Sequence, residues 1–444
     1  MASRIIGPNI GLILNNKTPE DVAKAMIEND RQKEPFYVFS IDEAYHRIQH
    51  FKKMMPRIEI FYAMKANDND NMLKLAAELG LGFDCASPGE IHKILNLNVS
   101  PLSIIFAVPS KNPDWMVYAR DSGIRHTTFD TINELKKIKH YWPDAKLLIR
   151  IKVDGESIYK LGDKFGCDFE TEAVNLLEEA AALDLKVVGV AFHVGSGCSS
   201  ADSHVIGLRL AKELFDHEAR SGRHMNIIDI GGGFLSDRTD RIDQVSNLIN
   251  GTLEELFPDP NIQVIAEPGR YICDSSCNLY CSISNVRRVT KGDEIVNMIY
   301  LNDGLFGTLR YQERWHTVKR FQTSAETINE QPERTILWGP SCDSTDRVMK
   351  NVEIFLPRCT SFDWLVFSTK GAYSFGFATH FSCLEKPQIR SVISQNLWDQ
   401  IKNSIFFNSD EFTEEYDISL PLPSTLPRIT KTRNITGSNY TLKI

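Results

Sequence analysis

Apolar runs of strand length alternate with amphipathic segments of helix length over much of the chain. One intervening segment places Leu73, Ala76 and Leu79 at helical spacing. Continuous apolar runs separated by helices are typical of parallel strands covered on both faces, and eight such units predict a (β/α)8 barrel. A doubly wound open sheet is the alternative. The eight runs lie at 58–64, 82–86, 103–108, 126–129, 146–153, 186–194, 226–230 and 263–266.

The pattern changes after Arg270, where strand-like runs follow one another with only turn residues between them. Short strands joined by turns predict an antiparallel β domain. The polar, proline-containing end of the chain predicts a loosely structured tail. We therefore predict an α/β protein with a barrel at 36–270, a C-terminal β domain at 271–408 that includes 1–35, and a tail at 409–444.

The composition is that of a globular protein, with 42% hydrophobic and 24% charged residues in a chain of 444. A formal net charge of -8 without a basic run argues against nucleic acid and anionic membranes as partners. Nine cysteines without a CxxC motif predict free thiols in a reducing compartment and no metal site. No apolar stretch approaches the ~20 residues that span a bilayer, and the N-terminus is a poor signal peptide, so we predict a cytoplasmic protein.

The barrel prediction brings the most reactive side chains of the chain together. Residues at the ends of barrel strands share one face, the C-terminal mouth, whereas without a barrel they would be scattered charges. The residues at these strand ends are Lys65, Asp84, Arg150, His193, Gly231, Gly232, Gly233, Glu267, Gly269 and Arg270.

Two side chains fit covalent and proton-transfer chemistry. Lys65 ends an apolar run, where partial burial disfavours the ammonium form and frees the amine for a Schiff base with an aldehyde cofactor. The alternative is a strand-end lysine whose ammonium reaches solvent. Cys342, beside Asp343, fits either a proton donor or a buried thiol.

Other residues at the predicted mouth fit a phosphorylated ring. The glycine triplet allows backbone N–H groups to close on an anion, and Arg270 adds a guanidinium, although glycines also serve ordinary tight turns. Glu267 can keep a pyridine nitrogen protonated, or form a surface salt bridge. His193 can stack on the ring with Ser196 as a hydrogen-bond donor, or be a structural histidine.

Six motifs, taken in order, resemble the eukaryotic ornithine decarboxylases, a fold type III family that depends on pyridoxal 5'-phosphate. The resemblance runs from about residue 34 to about residue 394. It implies an alanine-racemase-like barrel with a β domain, in a head-to-tail homodimer whose active sites combine residues of both subunits. The motifs are FYAMKAN at 61–67, HVGSG at 193–197, DIGGGF at 229–234, EPGR at 267–270, WGPSCD at 338–343 and GAY at 371–373.

The resemblance implies a role for each matching residue. Those expected at the cofactor are Lys65 (Schiff base), Glu267 (pyridine nitrogen), His193 (ring stacking), Ser196, Gly233, Arg270 and Tyr373 (phosphate), and Asp84, Glu90 and Arg150 (support). Those expected at the substrate and the dimer contact are Cys342 (proton donor after CO2 leaves), Asp343 (substrate amine), and Lys164 with Asp346 (ion pair across the dimer).

The substrate end departs from the family pattern at two places. The family has an acidic residue, soon after an Asn-Asp-Gly motif, that binds the distal amine of ornithine. Its place here is Arg314 or Trp315, depending on the register, and Glu313 is the nearest acid. Phe306 stands where the family has tyrosine. Because an unpaired buried ammonium is costly, loss of the acid disfavours a diamino acid.

Three functional hypotheses follow from the resemblance. The first is an ornithine decarboxylase that makes putrescine for polyamine biosynthesis. The second is a paralogue that decarboxylates a different amino acid, as Trp315 and Phe306 suggest. The third is a non-catalytic, antizyme-inhibitor-like regulator, which the presence of Lys65, Arg270 and Cys342 disfavours. Antizyme is a further candidate partner, since the family contacts it through the stretch that corresponds to 115–138.

Overall fold

The N-terminal segment leads from a sheet into a barrel. In the computed structural model, the described residues are 10–28, 32–200, 202–236, 241–292, 294–311, 316–322, 331–414, 429–434 and 437–442. Ser40 caps the last N-terminal helix by accepting the N–H of Glu43 at 3.2 Å. Within these ranges no helix has the length and apolar character that a membrane span requires. The first elements are β1 (Gly11–Leu14), α1 (Pro19–Glu28), β2 (Phe36–Ser40) and α2 (Ile41–Met54).

Eight parallel strands close into a barrel, which confirms the prediction from the alternating apolar runs. Every predicted run contains one of these strands, and the open-sheet alternative is wrong because the first barrel strand pairs with the last, Ile58 facing Val264. Two short strands, β8 (Ser157–Tyr159) and β10 (Ser196–Cys198), pair with each other outside the barrel. The eight barrel strands are β3 (Ile58–Ala63), β4 (Gly82–Cys85), β5 (Ile104–Phe106), β6 (His126–Phe129), β7 (Lys146–Ile151), β9 (Lys186–Phe192), β11 (Ile227–Asp229) and β12 (Gln263–Ala266).

Helices follow the strands and bury their apolar faces against the outside of the barrel. Ser87 and Thr131 are N-caps that accept the N–H groups of Glu90 and Glu134. A separate cluster that includes Ile105, Leu148 and Ile265 fills the barrel itself. The helices are α3 (Asp70–Glu78), α4 (Pro88–Leu95), α5 (Pro113–Asp121), α6 (Ile132–Tyr141), α7 (Val174–Ala182), α8 (Asp202–Arg220), α9 (Arg241–Leu256) and α10 (Arg270–Cys273).

The second domain is a sheet of eleven described strands that includes β1 and β2. Its central strand, β13 (Cys277–Lys291), pairs with β2, with β14 (Glu294–Leu301) and with β19 (Trp364–Phe367). The remaining elements are β15 (Val318–Phe321), β16 (Glu333–Trp338), β17 (Arg347–Val348), β18 (Ile354–Leu356), β20 (Gln388–Ser394), α11 (Gln395–Ile401) and β21 (Phe412–Glu414).

This sheet is mixed, whereas the turn-rich sequence predicted an antiparallel one. β1 and β2 run parallel to β20, and β14 runs parallel to β16. Parallel neighbours need a long connection, and the whole barrel lies between β2 and β20 in the chain. Residues 36–40 were expected in the barrel, but as β2 they pair with β13 and β20.

The stretch 409–444, expected to be loosely structured, contains regular elements. β21 pairs with β1 in the sheet, where the ring of Phe412 lies 4.7 Å from that of Trp398. A side chain on Gly11 would meet the Phe412 ring at 2.4 Å, so the glycine makes this docking possible. Further along, β22 (Ile429–Asn434) and β23 (Gly437–Leu442) pair as a hairpin. Burial of the Phe412 ring therefore accounts for the docking of β21 on the sheet.

Gly189→Ala should destabilise the barrel strongly. A Cβ at Gly189 would lie 2.1 Å from the carbonyl oxygen of Ile227 on the neighbouring strand, so β9 and β11 would have to separate. We expect a loss of about 3 kcal/mol or more in unfolding free energy, measured by urea denaturation. Gly251→Ala is the matched control, because nothing lies within 4 Å of its Cβ position in α9. There we expect a gain of up to about 1 kcal/mol; equal effects of both changes would contradict the packing argument.

Candidate active site

Lys65 stands at the C-terminal mouth of the barrel. The chain leaves β3 at Ala63 and turns through the short 3-10 helix Met64–Ala66, and the Lys65 ammonium forms an ion pair with Asp84 of β4. Asp84 is 1% exposed, while the Lys65 side chain is 41% exposed because it opens into a cleft. The cleft is lined by Ala63, Lys65, His193, Ser196, Gly232, Gly233, Phe234, Glu267, Gly269, Arg270 and Tyr373.

The charge state of Lys65 differs from the expectation drawn from burial. Burial lowers the pKa of this lysine, but the carboxylates of Asp84 and Glu267 outweigh that effect, and the pKa lies well above its usual value. The expectation of a free amine was therefore wrong for the chain by itself, since it considered burial without the two acids. Lys65 is held as an ammonium that must pass on a proton before it can act as a nucleophile.

The acids around Lys65 form a buried cluster. Burial, together with repulsion from Asp229 and Asp84, raises the pKa of Glu267 well above its usual range. Burial also raises the pKa of Asp229 to about 7, although the Gly231 N–H donates to its Oδ1 at 2.8 Å. Neighbouring buried carboxylates resist joint ionisation, so this cluster retains a proton near neutral pH.

An anion cradle lies beside the lysine. Gly231 and Gly233 have φ angles of 63° and 103°, which a residue with a side chain rarely adopts. A Cβ on Gly233 would also meet Val194 Cγ2 at 2.6 Å. Within the described part of the chain, the N–H groups of Gly232 and Gly233 have no acceptor. These amides at the cleft are suited to an anionic ligand.

Arg270 supplies the positive charge of the cradle. Its Nε and one Nη each lie 3.4 Å from Ser196 Oγ, and its guanidinium lies 4.9 Å from the ring centre of Tyr373. Although 6% exposed, Arg270 lines the cleft, so its charge faces a nearly desolvated space. A guanidinium in such a place favours a phosphate or carboxylate.

Tyr373 reaches the cleft from the sheet domain of the same chain. Its N–H donates to the Ala66 carbonyl at 2.8 Å, which ties the segment after β19 to the turn that carries Lys65. The backbone of Tyr373 has a φ of 53°, an uncommon value outside glycine that the surrounding contacts must hold. A Cβ at Gly371 would lie 1.7 Å from the Cys273 carbonyl, so the glycine permits this close domain contact.

His193 is a neutral ring inside the cleft. Its Nδ1 accepts the Gly195 N–H at 3.0 Å, and burial, with Arg150 and Lys65 nearby, lowers its pKa well below the usual value. Arg150 itself lies 5.3 Å from the ring centre of Phe165, and Glu90 accepts the Ala86 N–H at 2.6 Å. Thus His193 borders the cleft directly, whereas Arg150 and Glu90 stand behind it.

The residues expected at the substrate lie elsewhere on the chain. Cys342 is exposed, so the alternative of a buried thiol was wrong, and Asp343 accepts hydrogen bonds from the Thr345 N–H and hydroxyl at 2.7 and 2.6 Å. Phe306 packs on Phe381, with ring centres 4.4 Å apart. Glu313, Arg314 and Trp315 fall outside the described residues.

The ion pair of Lys164 across the dimer stays a prediction, since its two side chains would belong to different subunits. Within one chain, hydrogen bonds from neighbouring loops hold Asp346. This residue is 2% exposed, and its carboxylate accepts the N–H of Leu305 at 2.7 Å and the hydroxyl of Ser341 at 2.6 Å. The Lys164 ammonium lies 4.8 Å from the ring centre of Phe165.

Two buried residues of this region received no role in the sequence argument. Asp229 was detectable as the one acid in the apolar run 226–230. His204 is 2% exposed and binds the Gly232 carbonyl, but a single histidine in an amphipathic helix has no distinguishing pattern. Both depend on contacts between distant segments, which local periodicity does not encode.

Asp229→Asn should make the stability of the cofactor-free chain less dependent on pH. With its pKa raised from 3.8 to about 7, Asp229 keeps its proton in the folded state at pH values where the unfolded state has lost it. The unfolding free energy therefore falls as the pH rises from about 4 to about 7. The asparagine variant should be spared on the order of 2 kcal/mol of this decrease, measured by urea denaturation at pH 5 and pH 8. Asp184→Asn, at a fully exposed site, is the control. A variant with the parent's pH dependence would contradict the assignment.

The sequence matches two family models and is similar to curated proteins over most of its length. The family model described as the pyridoxal binding domain of pyridoxal-dependent decarboxylases matches residues 41–274, and that of their C-terminal sheet domain matches 194–371. The chain is 37% identical to ornithine decarboxylase of Panagrellus redivivus, over 84% of this chain and 89% of that protein. It is 35% identical to ornithine decarboxylase 2 of Drosophila melanogaster, over 78% and 88%.

A solved structure agrees with these sequence relatives. The arginine decarboxylase of Paramecium bursaria Chlorella virus, bound to agmatine, is 30% identical and superimposes with a TM-score of 0.78 over 85% of this chain and all of that one. The barrel, the sheet domain and the residues at the mouth thus occur together in a chain of this family. The protein belongs to the pyridoxal-dependent decarboxylases and is a decarboxylase that uses pyridoxal phosphate.

Proposed function

We propose that the protein is an ornithine decarboxylase, which converts L-ornithine to putrescine in a cytoplasmic homodimer. The observation that carries the proposal is the Lys65 ammonium held by Asp84 and Glu267 beside an anion cradle. The identity of 35–37% with ornithine decarboxylases supports ornithine as the substrate. The free state of all nine cysteines fits a reducing compartment.

The cleft fits pyridoxal phosphate at both of its ends. The amides of Gly232 and Gly233, with Ser196 and Arg270, would hold the phosphate, and Tyr373 lies against Arg270 at the same end. Lys65 lies where it would meet the aldehyde carbon. When bound, the cofactor supplies the electron sink for the electron pair that stays on the α-carbon of the substrate when CO2 leaves.

The surrounding side chains would manage protons and orientation. Glu267, whose raised pKa keeps a proton available, would share that proton with the pyridine nitrogen. Asp84, whose Oδ2 pairs with the Lys65 ammonium and whose buried Oδ1 has no hydrogen-bond partner in the described structure, would hold the lysine in position beside the cofactor. His193, a neutral ring at the cleft, would cover one face of the cofactor.

The substrate-binding half would come from a second copy of the chain. Cys342 and Asp343 are absent from the residues that line the Lys65 cleft, and Cys342 is exposed. The exposed ring of Phe377, 6.2 Å from that of Tyr373, offers an apolar surface for that copy, and Phe381 is exposed as well. Completed sites would therefore require a dimer in which each subunit presents Cys342 to the other.

Asp343 would bind an ammonium of the substrate. Its hydrogen bonds from the Thr345 side chain and backbone lower its pKa, which keeps the carboxylate charged at neutral pH. A different amino acid is the second candidate substrate, since Phe306 packs on Phe381 and carries no hydroxyl for a polar group. Antizyme is a candidate regulator at 115–138, where Arg120, Arg125 and Lys136 are exposed.

Product analysis would test the substrate directly. The cofactor-loaded protein is incubated with ornithine, lysine and arginine together, and the amines are identified by mass. We expect putrescine as the main product, with no turnover by Lys65→Ala because the amine that would anchor the cofactor is gone. A different amine with ornithine untouched would favour the second candidate, and turnover by Lys65→Ala would contradict the proposed site.

Mixed dimers would test whether sites are shared. Lys65→Ala and Cys342→Ala chains are each expected to be nearly inactive in forming amine, the latter with cofactor still bound. Refolded together in equal amounts, they should recover about a quarter of the parent activity, since half of the dimers are mixed and each has one intact site. No recovery in dimers shown to be mixed would mean that Lys65 and Cys342 act within one chain.

A further inference from the structure

His204 is a buried histidine directly behind the glycine turn. It lies near the start of α8, and its Nε2 is 3.1 Å from the carbonyl oxygen of Gly232. Its ring stacks on Phe234, with centres 4.9 Å apart and planes 21° from parallel. The hydrogen bond to Gly232 and the stack on Phe234 together fix the position and the rotation of the imidazole.

Each carbonyl of the glycine triplet accepts one hydrogen bond from the surrounding protein. The Gly231 carbonyl accepts the Glu267 N–H at 2.8 Å, and the Gly233 carbonyl accepts the Cys198 N–H at 3.0 Å. The Gly232 carbonyl accepts from His204. Two of these bonds are between backbone groups, so the histidine is the one side chain among the three donors and the one that substitution can remove.

The held carbonyls determine where the amides point. In a trans peptide the C=O and the following N–H point in opposite directions. A carbonyl of Gly232 turned towards His204 therefore turns the Gly233 N–H the other way, and Gly233 lines the cleft. This N–H has no acceptor among the described residues. Glycine without a Cβ rotates easily, so the peptide needs an external bond to keep this orientation.

The chemical state of His204 suits this role. A carbonyl oxygen only accepts, so Nε2 must carry the hydrogen, and Nδ1 is left without a partner in the described structure. Burial lowers the pKa of His204 to about 4, so the ring is neutral at physiological pH. The bond to Gly232 is therefore formed by one defined tautomer.

We propose that His204 is a positioning residue for cofactor binding, which orients the Gly232–Gly233 peptide so that the Gly233 N–H donates to the phosphate. This inference rests on the proposed placement of the phosphate at the glycine turn. In this role His204 does not have to contact the reacting atoms. The hydrogen bond of His204 holds only the glycine turn. Its loss should therefore affect binding of the phosphate end of the cofactor and leave binding of the aldehyde end unchanged.

The test compares pyridoxal phosphate with pyridoxal, which lacks the phosphate. Dissociation constants are measured by equilibrium dialysis on the cofactor-free full-length chain. His204→Phe keeps the ring stack but removes the donor, and His204→Gln restores a donor. Loss of one hydrogen bond should weaken pyridoxal phosphate binding by about five- to tenfold. Pyridoxal binding should stay unchanged, and His204→Gln should return to within about twofold of the parent.

The outcomes separate this inference from the proposed site. Arg270→Ala is the control for phosphate placement and should also lose the preference for pyridoxal phosphate over pyridoxal. If Arg270→Ala keeps that preference, the placement of the phosphate is wrong and the inference falls with it. If only Arg270→Ala loses it, or if His204→Phe weakens both ligands equally, His204 has a structural role and the inference alone is overturned.

Discussion

The attraction between the Lys65 ammonium and the acids around it is the interaction on which the mouth of the barrel depends. Asp84, Asp229 and Glu267 are all buried, and three buried carboxylates would repel one another without a cation or a shared proton. Lys65 provides the positive charge, and the raised pKa values of Asp229 and Glu267 show that part of the negative charge is removed by protonation. The lysine and the three acids therefore depend on one another for their stability in the buried site.

Barrel closure makes such a group possible. Asp84, Asp229 and Lys65 lie far apart in the chain, but β4 pairs with β3, and β11 joins β3 through β12. Their side chains consequently share the C-terminal mouth on rigid strands. The anion cradle follows β11 at once, so the same closure places it beside the lysine. Chemistry that needs fixed distances is thereby carried by the most rigid part of the molecule.

Much of this arrangement could be predicted from the sequence because it depends on local patterns. The eight strands are signalled by apolar runs, and the residues of the mouth follow from their positions at strand ends. The direction of the Lys65 pKa could not be predicted in this way, because it depends on Asp84 and Glu267 across the barrel. The parallel strand pairs of the mixed sheet could not be predicted for a similar reason, since the pairing of β1 and β2 with β20 joins segments more than 340 residues apart.

The proposed cofactor-binding and substrate-binding residues stand on different kinds of structure. The cofactor half is built from strand ends and a glycine turn, whose geometry the backbone determines. The proposed substrate half rests on exposed Cys342, on Asp343 in a short turn, and on Phe306 in a loop. Loops tolerate substitution because few buried contacts constrain them, whereas a change at Gly233 or Asp84 disturbs a packed network. A chain of this construction can keep one reaction and change the amino acid on which it acts, which is consistent with arginine and ornithine decarboxylases sharing its fold.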